Sequence, residues 1–193
     1  HRVKNILQSI SSLLRLQQRR TQNTEVKEIL SDSINRINSI SIVHDYLSQK
    51  NVDVIDLTEM AKNILFEVSN SVMLPDKKIA FNIYAPDTLL FPSAKAVSIA
   101  LVLNELLNNT LKHAFVNLDS GILSLHLEIN ADILNITVQD NGVGLPQDFN
   151  PDKDGNLGWQ IIKTLVQDDL KGIWSVDSNK NDTRIIIKLP FLG

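Results

Sequence analysis

The chain has 193 residues, of which 43% are apolar and only 5% aromatic, so we expect a core built on Leu, Ile and Val. The formal net charge of −3 excludes a strongly basic nucleic-acid-binding protein, and the lack of cysteine excludes disulfides and cysteine-ligated metals. The longest uncharged apolar run, 96–104, is far shorter than the roughly 18 residues of a membrane span. We therefore expect no nucleic-acid partner and, for this part of the protein, no membrane partner and a cytoplasmic location, although the full-length protein could be membrane-attached. Because the sequence begins with His1 rather than Met, we expect it to be part of a longer protein.

Charge and composition change sharply near position 50. Residues 1–50 carry 8 basic and 4 acidic side chains, a net charge of +4, whereas residues 51–193 carry 11 and 18, a net charge of −7. The first fifty residues also contain neither Gly nor Pro. This shift predicts a domain boundary near Gln49–Asp53, which divides the chain into domains at 1–49 and 50–193.

Apolar residues recur at helical spacing over residues 1–20 and again over about 25–47, on either side of a polar break in which Thr24 is a candidate cap. Two long helices with a short connection predict an antiparallel hairpin. Its apolar stripe comprises Ile6, Ile10, Leu13, Ile29, Ile37 and Ile40. This stripe could pack on the chain's own second domain, or it could pair with a second copy in a four-helix bundle. We favour the homodimer.

The second region mixes helical and strand patterns. The predicted elements are a helix at 57–72 capped by Asp56, a strand at 79–84, a long helix at 93–115, a β-hairpin of strands 122–129 and 133–139, a polar loop at 140–156, a helix at 158–168, and strands at 172–177 and 184–189. Helices combined with mostly antiparallel strands predict an α+β two-layer sandwich.

The long helix carries a cluster of polar side chains. At 100° per residue, Glu105, Asn109, Lys112 and His113 fall on one face, while the opposite face is apolar. A carboxamide is a suitable oxygen ligand for Mg²⁺, and Lys or His can neutralise phosphate charge. On this helix alone, a merely solvated amphipathic face explains the pattern as well.

The polar loop changes that balance. Asp140 ends an apolar strand, where its carboxylate can accept a hydrogen bond from an exocyclic amine, and Gly142 and Gly144 permit a close backbone approach. Gly155 and Gly158 follow before a helix, whose first N–H groups suit a phosphate. These features and the upstream polar helix together predict a nucleotide site.

The order of these motifs resembles the catalytic core of sensor histidine kinases. The first eight residues, H-R-V-K-N-I-L-Q, resemble a phosphoacceptor box, residues 105–114 an N box, and residues 140–144 and 155–158 two G boxes. The resemblance implies a dimerisation and phosphotransfer hairpin followed by an ATP-binding domain of the Bergerat type. It also implies ATP-dependent autophosphorylation of His1 with ATP and Mg²⁺ as cofactors, then transfer to an aspartate of a response-regulator receiver domain.

The resemblance also implies roles for single residues. It implies that Asn109 is the Mg²⁺ ligand, that Lys112 and His113 lie beside the phosphates and ribose, and that Asp140 binds the adenine amine. Glu105 would either activate water or help to hold the Mg²⁺ hydration shell, and we favour the second. The further nucleotide-binding residues that the resemblance implies are Gly142, Gly144, Gly155, Leu157, Gly158 and Thr183.

Some positions depart from the family pattern. Ile6 and Asp182 replace residues that are usually Asn and Gly, and Trp159 stands where Leu is common. Phe149 is a poor candidate for the aromatic box between the G boxes. His44 and His126 are expected to be structural. The alternative function is a Bergerat-type regulatory module, either an anti-sigma-type serine kinase or a scaffold, without histidine phosphotransfer. Such modules normally lack the preceding hairpin, so residues 1–48 discriminate between the two.

Overall fold

The computed structural model describes residues 2–50, 53–72 and 77–191. His1, the predicted phosphoacceptor, lies outside these ranges, as do residues 51–52 within the predicted domain boundary. Within the described ranges, no helix has the length and apolar character needed to cross a membrane.

The first two helices form the predicted hairpin. Helix α1 spans Arg2–Arg20 and α2 spans Thr24–Lys50. Their antiparallel arrangement is fixed by hydrogen bonds from Lys4 to Asp45 at one end and from Gln18 to the Lys27 carbonyl at the other.

The predicted cap of α2 is wrong by one residue. Thr24 is already helical, and the Asn23 side chain accepts a hydrogen bond from the Val26 N–H at 3.2 Å. Asn satisfies the free N–H groups of a first turn at least as well as Thr, so the helix begins after Asn23.

The remaining elements follow in an α+β order. They are β1 (Val54–Asp56), α3 (Leu57–Ser71), β2 (Lys78–Tyr84), β3 (Leu90–Pro92), α4 (Ala96–His113), β4 (Ser120–Asn130), β5 (Ile133–Asp140), α5 (Pro151–Asp154), α6 (Leu157–Thr164), β6 (Ile173–Asn179) and β7 (Asp182–Pro190). The sequence analysis missed β1, β3 and α5. The predicted helix at 158–168 is α6 followed by a π-helical turn at Leu165–Asp169.

Five strands form one sheet in the order β2-β4-β5-β7-β6. Strands β2 and β4 are parallel and are joined through α4, while the other neighbours are antiparallel. Burial alternates along β5 and β7, because one face of the sheet packs under the helices and the other faces solvent. The two-layer α+β fold is therefore confirmed.

Helix α4 lies between the sheet and the hairpin. Leu103 and Leu107 on α4 are fully buried in the core. Val43 of α2 is fully buried in the same core cluster. The hairpin therefore packs on its own second domain through α2, and this contact places α2 beside the polar face of α4.

Candidate active site

A cavity of about 400 Å³ opens where the end of α4, the loop after β5 and the start of α6 meet. Its wall is formed by Asn109, Thr110, His113, Ala114, Asp140, Gly144, Leu145, Pro146, Phe149, Asp154, Asn156, Trp159, Thr183 and Ile185. A second cavity of about 260 Å³ adjoins it between α2, α4 and α6. Asn109, His113 and Asn156 line both, so the two cavities meet at these side chains.

Asp140 lines the first cavity. It is the last residue of β5, stands opposite Thr183 on β7, and is only 4% exposed. Burial raises the pKa of the Asp140 carboxyl to about 6, although the Gly142 N–H donates to it at 2.9 Å and opposes the shift. The nearby Asp182 carboxylate raises the pKa further. A desolvated carboxylate of this kind is a strong acceptor for an N–H donor on a ligand.

Thr183 is linked to the loop above the cavity. Its Oγ1 lies 3.0 Å from Ser178 Oγ, and Ser178 Oγ accepts a hydrogen bond from the Leu145 N–H at 2.9 Å. These bonds tie the loop after β5 to the β6–β7 hairpin. The cavity wall around Asp140 is therefore held by contacts across three separate elements.

The polar face of α4 points into the second cavity. Glu105 is 5% exposed, and its Oε1 accepts from Asn104 Nδ2 at 3.1 Å. Asn109 Nδ2 is buried but makes no hydrogen bond to any residue in the described ranges. The Asn109 Nδ2 donor is thus unpaired where the two cavities meet. An unpaired N–H donor fits a phosphate oxygen, and the oxygen of the same amide is of the kind that Mg²⁺ takes together with phosphate and water.

The two basic residues at the end of α4 have different surroundings. Lys112 forms an ion pair with Asp32 of α2. Partial desolvation lowers the pKa of His113, and the positive charge of Lys112 lowers it further. Asp32 and Glu28 oppose this shift, but the net effect lowers the pKa and so favours the neutral imidazole, which can donate or accept a hydrogen bond.

The glycines serve distinct purposes. Gly144 has φ 75°, and a Cβ there would lie 1.8 Å from the Asn179 carbonyl oxygen. A Cβ on Gly158 would lie 2.7 Å from Glu105 Oε2, so the start of α6 packs directly on that carboxylate. Gly142 and Gly155 line neither cavity. Gly142 packs under the Ala114 carbonyl, 2.2 Å from its would-be Cβ, so a tight chain crossing rather than a ligand explains this glycine.

The structure brings most of the predicted site residues together. The first cavity contains Asn109, His113, Asp140, Gly144 and Thr183, and the second contains Glu105, Asn109, Lys112, His113, Leu157 and Gly158. Their individual roles stay predictions.

Two sets of site residues were missed by the sequence analysis. The rings of Phe149 and Trp159 pack 5.8 Å apart and line the first cavity, although Phe149 was given little weight. Asp32 and Arg36 of α2 line the second cavity. The signal for the second pair is their i, i+4 spacing, which puts both charges on one helical face.

Comparison with known proteins agrees with this site. A family model described as histidine kinase matches residues 1–72, and one described as histidine kinase-, DNA gyrase B- and HSP90-like ATPase matches residues 94–193. The chain belongs to the histidine kinase family. Its second domain is accordingly a nucleotide-binding domain of that ATPase family.

Individual relatives show how far the similarity extends. The chain is 38% identical over 192 residues to the sensor histidine kinase PdtaS of Mycobacterium tuberculosis, an alignment that covers 98% of this chain and 38% of that protein. It therefore spans well under half the length of this relative. The histidine kinase domain of the Erythrobacter litoralis EL346 blue-light activated histidine kinase has the same fold, with a TM-score of 0.77 and 24% identity over 97% of this chain and 94% of that one.

An anti-sigma F factor of Clostridium beijerinckii is 27% identical over 99 residues, which cover 46% of this chain and 66% of that protein. The similarity to the alternative class is thus confined to less than half of the chain.

Proposed function

We propose that this chain binds Mg²⁺-ATP in the two joined cavities, transfers the γ-phosphoryl group to His1, and passes it to an aspartate of a response-regulator receiver domain. The observation that carries the proposal is the buried Asp140 carboxylate in the wall of one cavity, with the unpaired Asn109 Nδ2 where that cavity meets the next. ATP has matching requirements at its two ends. Its adenine amine needs a hydrogen-bond acceptor, and its phosphate chain needs groups that neutralise charge.

The residues of the chain divide the work along the nucleotide. Asp140 accepts from the adenine amine, and the apolar wall with Phe149 and Trp159 takes the purine ring. Asn109 and phosphate oxygens would hold Mg²⁺, which neutralises charge on the transferred group. Leu157 and Gly158, which begin α6, line the second cavity, where their N–H groups would suit phosphate oxygens.

The transfer itself needs a neutral imidazole. The unprotonated ring nitrogen of His1 forms the bond to phosphorus as the bond to the ADP oxygen breaks. The other ring nitrogen keeps its proton, and the phosphorylated ring then releases it to solvent. A receiver aspartate takes the phosphoryl group in a second displacement of the same kind.

We further propose that two chains pair through α1. Val3, Ile6, Ile10, Leu13 and Leu16 of α1 are each 40–60% exposed, at a spacing of three and four residues. A contiguous apolar stripe of this kind is typical of a helical interface. Val26 and Ile29 of α2 extend it. Pairing two hairpins into a four-helix bundle would cover the stripe, and the net charge of +4 on residues 1–50 would attract an acidic receiver domain.

The alternative, a regulatory module without histidine chemistry, has less support. The histidine kinase family match at residues 1–72 includes the whole hairpin, which such modules normally lack. A labelling experiment separates the two.

The chain is incubated with Mg²⁺ and γ-³²P-ATP, and the label is tested for the acid-labile, base-stable behaviour of phosphohistidine. We expect labelling of the unaltered chain and of the control His44→Gln, and loss of labelling with His1→Gln. Nucleotide binding by calorimetry stays intact in His1→Gln, because the two sites lie on different domains. Label that is stable to acid, or that persists in His1→Gln, contradicts the proposal.

A further inference from the structure

Helices α2 and α4 are joined by a series of polar side-chain contacts. As the residue number rises along α2 it falls along α4, so the helices run antiparallel. The pairs are Asp32 with Lys112, Asn35 with Asn108, Arg36 with Glu105, and Ser39 with Asn104. The α4 partners in this series lie on the edge of the predicted nucleotide site.

The contacts occupy Glu105 and Lys112, the acidic and the lysine side chain that α4 contributes to that site. Arg36 Nε donates to Glu105 Oε1 at 2.7 Å and Arg36 Nη2 donates to Oε2 at 2.8 Å, so both carboxylate oxygens are taken. Asp32 pairs with the Lys112 ammonium. While these two ion pairs persist, Asp32 already balances the Lys112 charge and Arg36 already occupies one acceptor position on each Glu105 oxygen, so both groups are less available to a phosphate, a water or a metal.

The same contacts hold the nucleotide site far from the start of α1. Lys4, in the first turn of α1, is bonded to Asp45 of α2 at 2.6 Å. Asp45 lies 9 residues beyond Arg36 and 13 beyond Asp32, which is about 14–20 Å along a helix at 1.5 Å per residue. Phosphoryl transfer needs reacting atoms roughly 3–3.5 Å apart. In this arrangement the site faces the middle of the hairpin and not its first turn.

We propose that Asp32 and Arg36 form a clasp that docks the hairpin on the nucleotide domain in a non-transferring state, and that nucleotide phosphates open it by competing with Asp32 for Lys112. The inference rests on the proposed function of the site. Asp32 and Arg36 are positioning residues, because they act through Lys112 and Glu105. The two equilibria are linked: docking of the hairpin lowers the affinity for nucleotide by a certain factor, and bound nucleotide disfavours docking by the same factor.

The two halves of the clasp differ in strength. The Arg36 and Glu105 side chains are only 18% and 6% exposed, and the loss of one partner would leave a charge buried without compensation. The Lys112 and Asp32 side chains are 29% and 33% exposed, so this pair opens with less penalty. In the proposed opening, phosphates therefore displace Asp32 before the buried Arg36–Glu105 pair separates. Asp32→Asn is also a safer variant than a change at Arg36, because it leaves no buried charge without a partner.

Affinity for Mg²⁺-AMP-PNP, an ATP analogue that cannot transfer its phosphoryl group, tests the clasp by calorimetry on the full 193-residue chain. We expect Asp32→Asn to bind about three- to tenfold more tightly, at the low end of typical couplings because both side chains of the pair are about one-third exposed. Asp45→Asn breaks an acid–lysine pair of α2 away from the site and serves as the matched control, with unchanged affinity. Glu28→Gln removes a charge from the same cavity but not from Lys112, and we expect a smaller gain.

Hydrogen–deuterium exchange of the unaltered chain provides a second, independent readout. Adding Mg²⁺-AMP-PNP should raise amide exchange in the middle of α2, whereas simple binding would lower exchange or leave it unchanged. In addition, Asp32→Asn should lower KM for ATP without lowering kcat, an effect that a merely structural role of Asp32 would not produce.

The outcomes separate the two proposals. Suppose that the unaltered chain binds nucleotide but that Asp32→Asn gains no affinity or gains no more than Glu28→Gln. The clasp is then refuted and the nucleotide site stands, and the same holds if nucleotide does not raise α2 exchange in the unaltered chain. If only Asp32→Asn binds measurably, the clasp is supported. If no form binds, the proposed function fails and the clasp fails with it.

Discussion

Replacing Asp140 by Asn should make the chain more stable at neutral pH while it destroys the nucleotide site. The pKa of the Asp140 carboxyl is raised from 3.8 to about 6 by burial, so the folded chain carries an unfavourable charge above pH 6. One pKa unit corresponds to about 1.36 kcal/mol, which sets an upper value of about 3 kcal/mol for this shift. Because the cavity admits solvent to part of the carboxylate, we expect about 1–3 kcal/mol. The Asn side chain removes the charge and still accepts from the Gly142 N–H.

The sign of the pH dependence follows from proton binding. Since the pKa of Asp140 is higher in the folded chain than in the unfolded chain, the folded chain binds more protons between about pH 4 and 6. Its free energy of unfolding therefore falls as pH rises through that window. The variant lacks this titration. The stability difference should thus be full at pH 7.5 and close to zero at pH 4.

Urea denaturation of both forms at pH 4, 5, 6 and 7.5 measures this difference. The same experiment with Mg²⁺-ATP at pH 7.5 should stabilise the unaltered chain by about 1–3 kcal/mol more than Asp140→Asn, because the Asn amide places a donor or a weaker acceptor against the adenine amine. Equal stability at pH 7.5, a difference that does not change with pH, or undiminished stabilisation of the variant by ATP would refute the reasoning.

Two further changes test the assembly and the packing of the site. Ile10→Asp puts a charge in the exposed apolar stripe of α1, so sedimentation should show dissociation to monomers. The control Ser12→Asp changes an exposed polar position and should stay dimeric. An unaltered chain that sediments as a monomer at micromolar concentration would contradict the pairing. Gly158→Ala places a methyl group 2.7 Å from Glu105 Oε2, which Arg36 holds in place, and so should push α6 away from α4. We expect it to lower nucleotide affinity relative to the exposed control Gln160→Ala, whereas equal affinities would show that the Glu105 side chain or α6 shifts without cost to the site.

The sequence predicted those parts of the fold that depend on local pattern. The polar face of α4 could be predicted from the 100° rotation per residue, because a helix that packs on a sheet with one face needs apolar residues there and can carry polar residues on the other. Strands β1 and β3 were missed, since three residues are too few to show alternation and their partners are about 35 positions apart. Helix α5 was missed for a related reason: its four residues begin with Pro151 after the Asn150 cap, a pattern equally typical of a turn.

The site shows the same difference between features that depend on local sequence pattern and features that depend on distant contacts. Asp140 could be placed from the sequence because it ends a strand, but its proximity to Trp159 depends on how α6 returns to the sheet. The contacts of Asp32 and Arg36 could not be predicted, since they join residues 69–80 positions apart. The sequence shows only that the two helices carry opposite charges, and surface helices often carry opposite charges without contacting each other.

The aromatic stack beside the cavity gives the chain a built-in optical signal. Trp159 and Trp174, whose rings lie 5.7 Å apart, are the two tryptophans of the sequence, and Trp159 also contacts Phe149 on the cavity wall. All tryptophan emission from the chain therefore originates within one ring stack whose inner member is 7% exposed and borders the cavity. Entry of a purine, or movement of the loop that carries Phe149, changes the surroundings of the emitting ring directly. Occupancy of the site can thus be followed in unlabelled, unmodified protein, in real time and at low concentration.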